Sequence, residues 1–154
     1  MKDRIRLRLI ISIAVALVGL GCSDSLTPEE LVGTYTLATI DNQGPPRLLS
    51  ATIECDVLLV GGQLELLLSP DWSALSLARE EDCTRGGGSV STETLLYLGR
   101  YWLEEGELTF QTQLSDEDTL RFSGPVRWGG VAVTLVVRDT IRGLGGPLSI
   151  TFER

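Results

Sequence analysis

The stretch Trp102-Leu103-Glu104-Glu105-Gly106-Glu107-Leu108-Thr109-Phe110 decides the fold. Apolar runs flank Glu105-Gly106, a pair that reads as a tight reversal, so the two sides pair as antiparallel strands. The same punctuation recurs outward in both directions. Gly61-Gly62 separates Val57-Leu58-Leu59-Val60 from Leu64-Glu65-Leu66, and Gly129-Gly130 separates Val126-Arg127-Trp128 from Val131-Ala132-Val133. Alternation is clearest in Val131, Val133, Leu135 and Val137 and in Leu148, Ile150 and Phe152, with Thr134, Ser149 and Thr151 on the opposite side. This period of two gives a sheet with one buried and one wet face. It predicts strands near 33–40, 51–60, 63–69, 73–79, 90–102, 107–114, 118–127, 131–138 and 147–153. Gly124-Pro125 predicts a bulge or bend, because proline cannot donate to a ladder. The fold class is therefore all-β: an antiparallel up-and-down meander of eight or nine strands closes most economically as a barrel, which removes exposed edges. A two-sheet sandwich is the alternative. Thr27-Pro28-Glu29-Glu30 precedes the meander and carries an N-cap, a first-turn proline and a glutamate three residues after the cap, which predicts one helical turn.

The first residues have a different character. Lys2, Arg4, Arg6 and Arg8 face the single acid Asp3, and Leu9 to Leu20 carry no charge. A charged head followed by an apolar run is the pattern of an export signal. As a helix the run would span about 18 Å, short of the roughly 30 Å of a bilayer core, which disfavours a permanent membrane span. Val18-Gly19-Leu20-Gly21-Cys22 follows, and here the chain resembles the lipobox of bacterial lipoproteins. Gly21 is the small residue that the motif places before cysteine, while Gly19 and Leu20 stand where the family prefers Leu and a small residue. The resemblance implies cleavage before Cys22 and acylation of its thiol; an ordinary cleaved signal or an uncleaved anchor are the alternatives. Two or three acyl chains hold a protein at a membrane essentially permanently. Ser23, not Asp, follows the cysteine, which by the same resemblance implies sorting to an outer membrane. The expected organisation is a signal over 1–21, a lipidated cysteine, tether and helical turn over 22–32, and a β-barrel domain over 33–154. The expected location is the cell envelope, facing the periplasm or the exterior.

Removing the signal deletes four basic residues and one acidic residue. This leaves 9 Lys and Arg against 20 Asp and Glu, a net charge of −11 compared with −8 for the whole chain. Such a balance excludes nucleic acid, whose phosphates demand clustered cations. It also opposes a domain lying flat on anionic lipid. Cys55 and Cys83 are the cysteines left after Cys22, and an even pair in an oxidising compartment reads as a disulfide, with two unpaired thiols the alternative. No histidine and no CxxC spacing supports a thiol-bound metal, so none is assigned.

Gly33-Thr34-Tyr35, which opens the first strand after a helical turn, resembles the start of lipocalin-like domains, with Tyr35 in place of the family's tryptophan. The resemblance implies a barrel holding a small apolar or amphiphilic molecule at its mouth, and a late basic residue, here Arg154, covering the Tyr35 ring. Tyr35, Trp72, Tyr97, Trp102, Phe110, Phe122 and Trp128 are the candidates to line such a cavity, with ordinary core or wall the first reading of each and a hairpin cap the alternative for Trp128. Catalysis has few resources. Without histidine no serine or cysteine triad forms, and without lysine beyond the signal no Ser-Lys or Schiff-base chemistry does. Glu80-Glu81-Asp82 and Asp116-Glu117-Asp118 are expected in solvated turns, where they are weak candidates for an acid and base pair or for calcium. Arg85-Gly86-Gly87-Gly88 is expected as a loop beside the disulfide. The expected function is that of a non-catalytic, cofactor-free envelope lipoprotein carrying a small ligand. The alternatives are an assembly component that binds another envelope protein and, far behind, a carboxylate hydrolase.

Overall fold

The computed structural model describes residues 26–115, 118–127, 132–137 and 147–154. The expected export signal over 1–21, Cys22, Trp128-Gly129-Gly130, Val131 and Asp116-Glu117 lie outside these residues. One helical turn, α1 (Pro28–Leu31), precedes nine strands: β1 (Gly33–Ile40), β2 (Arg47–Ala51), β3 (Asp56–Leu66), β4 (Ser73–Asp82), β5 (Val90–Glu104), β6 (Glu107–Gln113), β7 (Thr119–Arg127), β8 (Ala132–Val137) and β9 (Leu148–Glu153). All pairings are antiparallel, in the order β1-β9-β8-β7-β6-β5-β4-β3, and β3 pairs back onto β1 to close the ring. The result is an eight-stranded barrel, with β2 added outside it along β3. The meander expected from the sequence forms, and the two-sheet sandwich does not.

Two-residue turns do the reversing where the sequence supplies residues that tolerate positive φ. Glu105 and Gly106, at φ 51° and 79°, join Glu104 to Glu107. Asp41 and Asn42, at φ 51° and 63°, join Ile40 to Gln43, whose backbones exchange hydrogen bonds of 2.7 and 3.0 Å. Both pairs suit the mirror-image turns that match strand twist.

Gly61-Gly62 does not reverse the chain. β3 runs straight through it, with one extra residue against β4 between Leu59 and Gly61. A Cβ on Gly62 would lie 2.7 Å from the Ser76 carbonyl oxygen and 3.0 Å from a Leu77 methyl. Glycine serves close approach and a bulge there, not a turn. The bend lets one strand serve two neighbours: Leu59 and residues before it pair with β2, and Gln63 to Leu66 pair with β1. The reversal comes earlier, at Thr52 to Cys55, where the Thr52 hydroxyl accepts from the Cys55 amide at 2.9 Å. The single strand expected over 51–60 is thus two strands.

At Gly124-Pro125 the expected bulge is absent, because Ser123↔Val136 and Val126↔Val133 keep one register. A Cβ on Gly124 would meet the Thr134 carbonyl oxygen at 2.0 Å, so this glycine too marks close approach. Glu80-Glu81-Asp82 is also no turn. It ends β4, paired to Asp56 to Leu58 on one side and Val90 to Thr92 on the other.

The core fills the ring. Tyr35, Leu64, Leu75, Leu77, Tyr97, Leu108, Phe110, Phe122, Val133, Ile150 and Phe152 are all buried and come from every strand of the ring. Burying such side chains contributes about 1.5–3 kcal/mol each before conformational entropy is set against it. α1 packs Leu31 into the core at the end where β1 begins. Glu30 accepts from the Thr27 amide at 2.9 Å, the N-terminal capping contact foreseen in the sequence.

Beyond the ring, β3, β4 and β5 continue with β2 as a four-stranded flap. The disulfide Cys55–Cys83 joins the flap just past the Asp56↔Asp82 pair, and Arg85 pairs with Asp56 beside it. This is the disulfide expected from the sequence, with the glycine-bearing loop next to it.

Candidate functional site

The aromatics assigned to a cavity separate into two groups. Tyr35, Tyr97, Phe110 and Phe122 point into the barrel and are buried. Phe122 packs tilted against Tyr97 and Phe110, with ring centroids 6.0 and 6.1 Å apart. They form core, as aromatic pairs at such distances do. Trp72 and Trp102 do not join them. Trp72 sits 71% exposed in a single 3-10 turn, Pro70–Trp72. Trp102 lies on the outer face of β5, because Tyr97 and Tyr101 fix the inward parity and an even-numbered residue faces out. Arg100 and Arg121 lie over its ring at 5.9 and 5.4 Å. Tyr101 is an inward aromatic that the sequence reading passed over, and Phe152 is buried on the apolar face where its alternation with Leu148 and Ile150 put it.

Arg154 also behaves differently from the resemblance. It donates to the Val32 carbonyl at 3.0 Å and lies against Gly33, and the cation and π contacts among the described residues are those on Trp102. Tyr35 instead spends its hydroxyl on the Leu31 carbonyl, 2.7 Å away. Burial pushes the Tyr35 hydroxyl up in pKa, against the opposing charge of Arg154. Tyr101 is raised likewise by burial and donates to the Leu67 carbonyl at 3.1 Å. Tyr97 is raised by burial first and by the Glu93 charge second, with Arg79 opposing. Arg79 and Glu93 are directly paired across β4 and β5, with a 3.0 Å ion pair above the apolar core.

The most unusual surface is β5 itself. Ten consecutive pairs, Ser73↔Gly99 to Asp82↔Val90, tie it to β4. On its other side β6 begins to pair only at Gly99↔Thr112. Residues 90–97 therefore have one edge with no strand partner among the described residues, and the Leu98 carbonyl on that edge accepts from the Thr112 hydroxyl at 2.6 Å. The outward side chains of the same stretch are apolar or small: Val90 is 49% exposed, Leu96 60% and Leu98 58%, with Thr92 and Thr94 between them. Where β6 leaves β5, an open groove of about 380 Å³ is lined by Asp71, Leu98, Gly99, Arg100, Gln111 and Gln113. A Cβ on Gly99 would lie 2.1 Å from the Gln111 carbonyl oxygen, so only glycine lets the strands meet at this fork.

Acidic groups offer less chemistry. Glu104, Glu105 and Glu107 share a depression of about 660 Å³ at the β5–β6 turn, but all three are exposed, and acid and base catalysis by carboxylates needs one of the two in an apolar setting. Glu81 lies near both sulfurs of the disulfide, which are bonded to each other and so are not thiolate ligands. The half-buried Asp82 carboxylate is held below its ordinary range, first by the Thr84 hydroxyl at 2.6 Å and then by the Thr84 amide at 3.0 Å. No family model, no curated protein and no solved structure matches this chain.

Proposed function

We propose that this chain is a non-catalytic lipoprotein of the bacterial cell envelope, anchored through lipid on Cys22, whose lipocalin-like barrel docks another envelope protein on its outer surface. The observation that carries the reading is the distribution of apolar side chains. Inward positions are packed with Leu, Tyr and Phe, while Val90, Leu96 and Leu98 stand exposed in one row beside Trp72. Apolar side chains gathered on one exposed face mark an interaction site more than the same side chains scattered singly do. The absence of histidine, and of lysine beyond Lys2, supports a binding role over catalysis. A second reading, a small amphiphile at the barrel mouth, draws on the Arg79–Glu93 pair above the apolar core. The packed aromatic interior leaves that reading with less support.

A photo-crosslinking residue placed at Leu96 in the full chain, in its own membrane, is expected to give a discrete adduct. The adduct should vanish with Leu98→Asp and be absent when the probe replaces Gln63, exposed on β3. An adduct of equal yield from both positions would overturn the docking site. Cys22→Ser should release the protein from the membrane fraction; retention with an intact amino terminus would overturn the anchor.

A further inference from the structure

We infer that the unpartnered edge of β5 is the seam of a homodimer, in which two copies pair Val90 to Leu98 antiparallel about Thr94. The inference deepens the docking reading and rests on it, since it names a second copy as the occupant of this edge. Nine residues at about 3.4 Å each present roughly 30 Å of backbone donors and acceptors, a template for another strand. Proteins usually blunt such an edge with lysine, proline or a bulge. Residues 90–98 contain neither lysine nor proline, and their ladder with β4 keeps one register throughout. The single charge, Glu93, is already engaged by Arg79 at 3.0 Å. The exposure of Val90, Ser91, Thr92, Glu93, Thr94, Leu96 and Leu98 leaves the approach open.

The occupant follows from what the strand complements. Rotated by a two-fold axis at Thr94, the stretch meets itself from Val90 to Leu98, whose carbonyl at the far end also accepts from the Thr112 hydroxyl at 2.6 Å. Val90 then faces Leu98 of the second copy, Thr92 faces Leu96, and Glu93 faces Leu95. Val90 and Leu98, both outward and apolar, meet at each end of the seam, Thr94 meets Thr94 at its centre, and no like charges are opposed. Moving the axis to Glu93 would set two carboxylates against each other. Moving it to Leu95 would demand Gly99 and Arg100, which β6 already pairs. Two-fold pairing of identical edges closes the assembly at two copies and uses up both edges.

The test is thiol cross-linking of the full chain in its membrane. Under mild oxidation Thr94→Cys should give a covalent species of twice the chain mass. Adding Leu96→Lys, a gatekeeper charge on an exposed position, should lower the yield about tenfold, while circular dichroism of the purified protein stays unchanged. Gln63→Cys, exposed on β3, sets the level of random collision. A Thr94→Cys yield no higher than that level, or one that Leu96→Lys leaves intact, overturns the dimer. If the Leu96 photo-adduct persists with a mass other than one added copy, the docking surface stands and the second copy falls. If neither cross-link forms, both fall.

Discussion

Tyr35 sends its ring into the core and its hydroxyl to the Leu31 carbonyl, and so ties α1 to β1. Tyr35→Phe keeps the ring but leaves a buried acceptor without its donor, which should cost about 1–3 kcal/mol. Calorimetry should show a melting temperature lower by several degrees, and an unchanged melting temperature would show the hydrogen bond to be idle. The sequence placed Tyr35 in the first strand just after the helical turn, as found, whereas the partner of Arg154 was not legible. A guanidinium can cover a ring or bond a carbonyl, and the short reach from Arg154 to Val32 decided for the carbonyl. Trp102 shows the opposite kind of error: β5 alternation places Trp102 and Tyr101 on opposite faces, but the sequence does not say which of two aromatic faces is inside. Tyr97 and its contact with Phe122 settle that through packing.

The elements depend on where glycine permits backbones to touch. Gly99 carries no positive φ, yet a methyl there would overlap the Gln111 carbonyl. Gly99→Ala should therefore force β5 and β6 apart at the fork, with a loss of about 1–3 kcal/mol or more, as for overpacked cores. Amide exchange should quicken first around Gly99 and Thr112; exchange quickening equally in all strands would argue against a local fork. Turns built on Glu105-Gly106 were legible because the residues themselves favour the required φ. The Thr52 to Cys55 turn was not, since a threonine hydroxyl bonding nearby backbone can occur in many settings. For the same reason Gly61-Gly62 misled: a glycine pair permits a turn and equally permits a bulge, and Phe152 and Leu77 beneath it chose the bulge.

Across the whole molecule, the disulfide Cys55–Cys83 closes a loop of 28 residues in separation and clamps the flap that presents the free edge of β5. Its entropic effect is about 3–4 kcal/mol. Cys55→Ser with Cys83→Ser should lower global stability by that order in denaturant titration. A loss confined to local exchange in β2 would show that the flap unfolds independently of the ring. All three tyrosines are raised in pKa, each chiefly by burial. Because the folded protein holds these phenols neutral, their contribution to stability is complete below the ordinary phenol value of about 10 and is lost as pH rises through the higher folded values. Absorbance at 295 nm should show phenolate appearing later in the native protein than in urea. Coincident curves would contradict the burial of all three.

Local chemistry in the chain was enough to determine the class of the fold. Period-two patterning, the tight turns and the cysteine pair specify an antiparallel meander with a disulfide, because each depends on neighbours a few residues away or on simple parity. Tertiary structure alone decided that β3 divides between β1 and β2, that Trp72 and Trp102 face solvent, and that β5 outruns β6 to leave an edge. Those outcomes depend on strand lengths and registers fixed by contacts far apart in sequence, where closing the ring consumes some hydrogen-bonding edges and leaves another without a strand partner among the described residues.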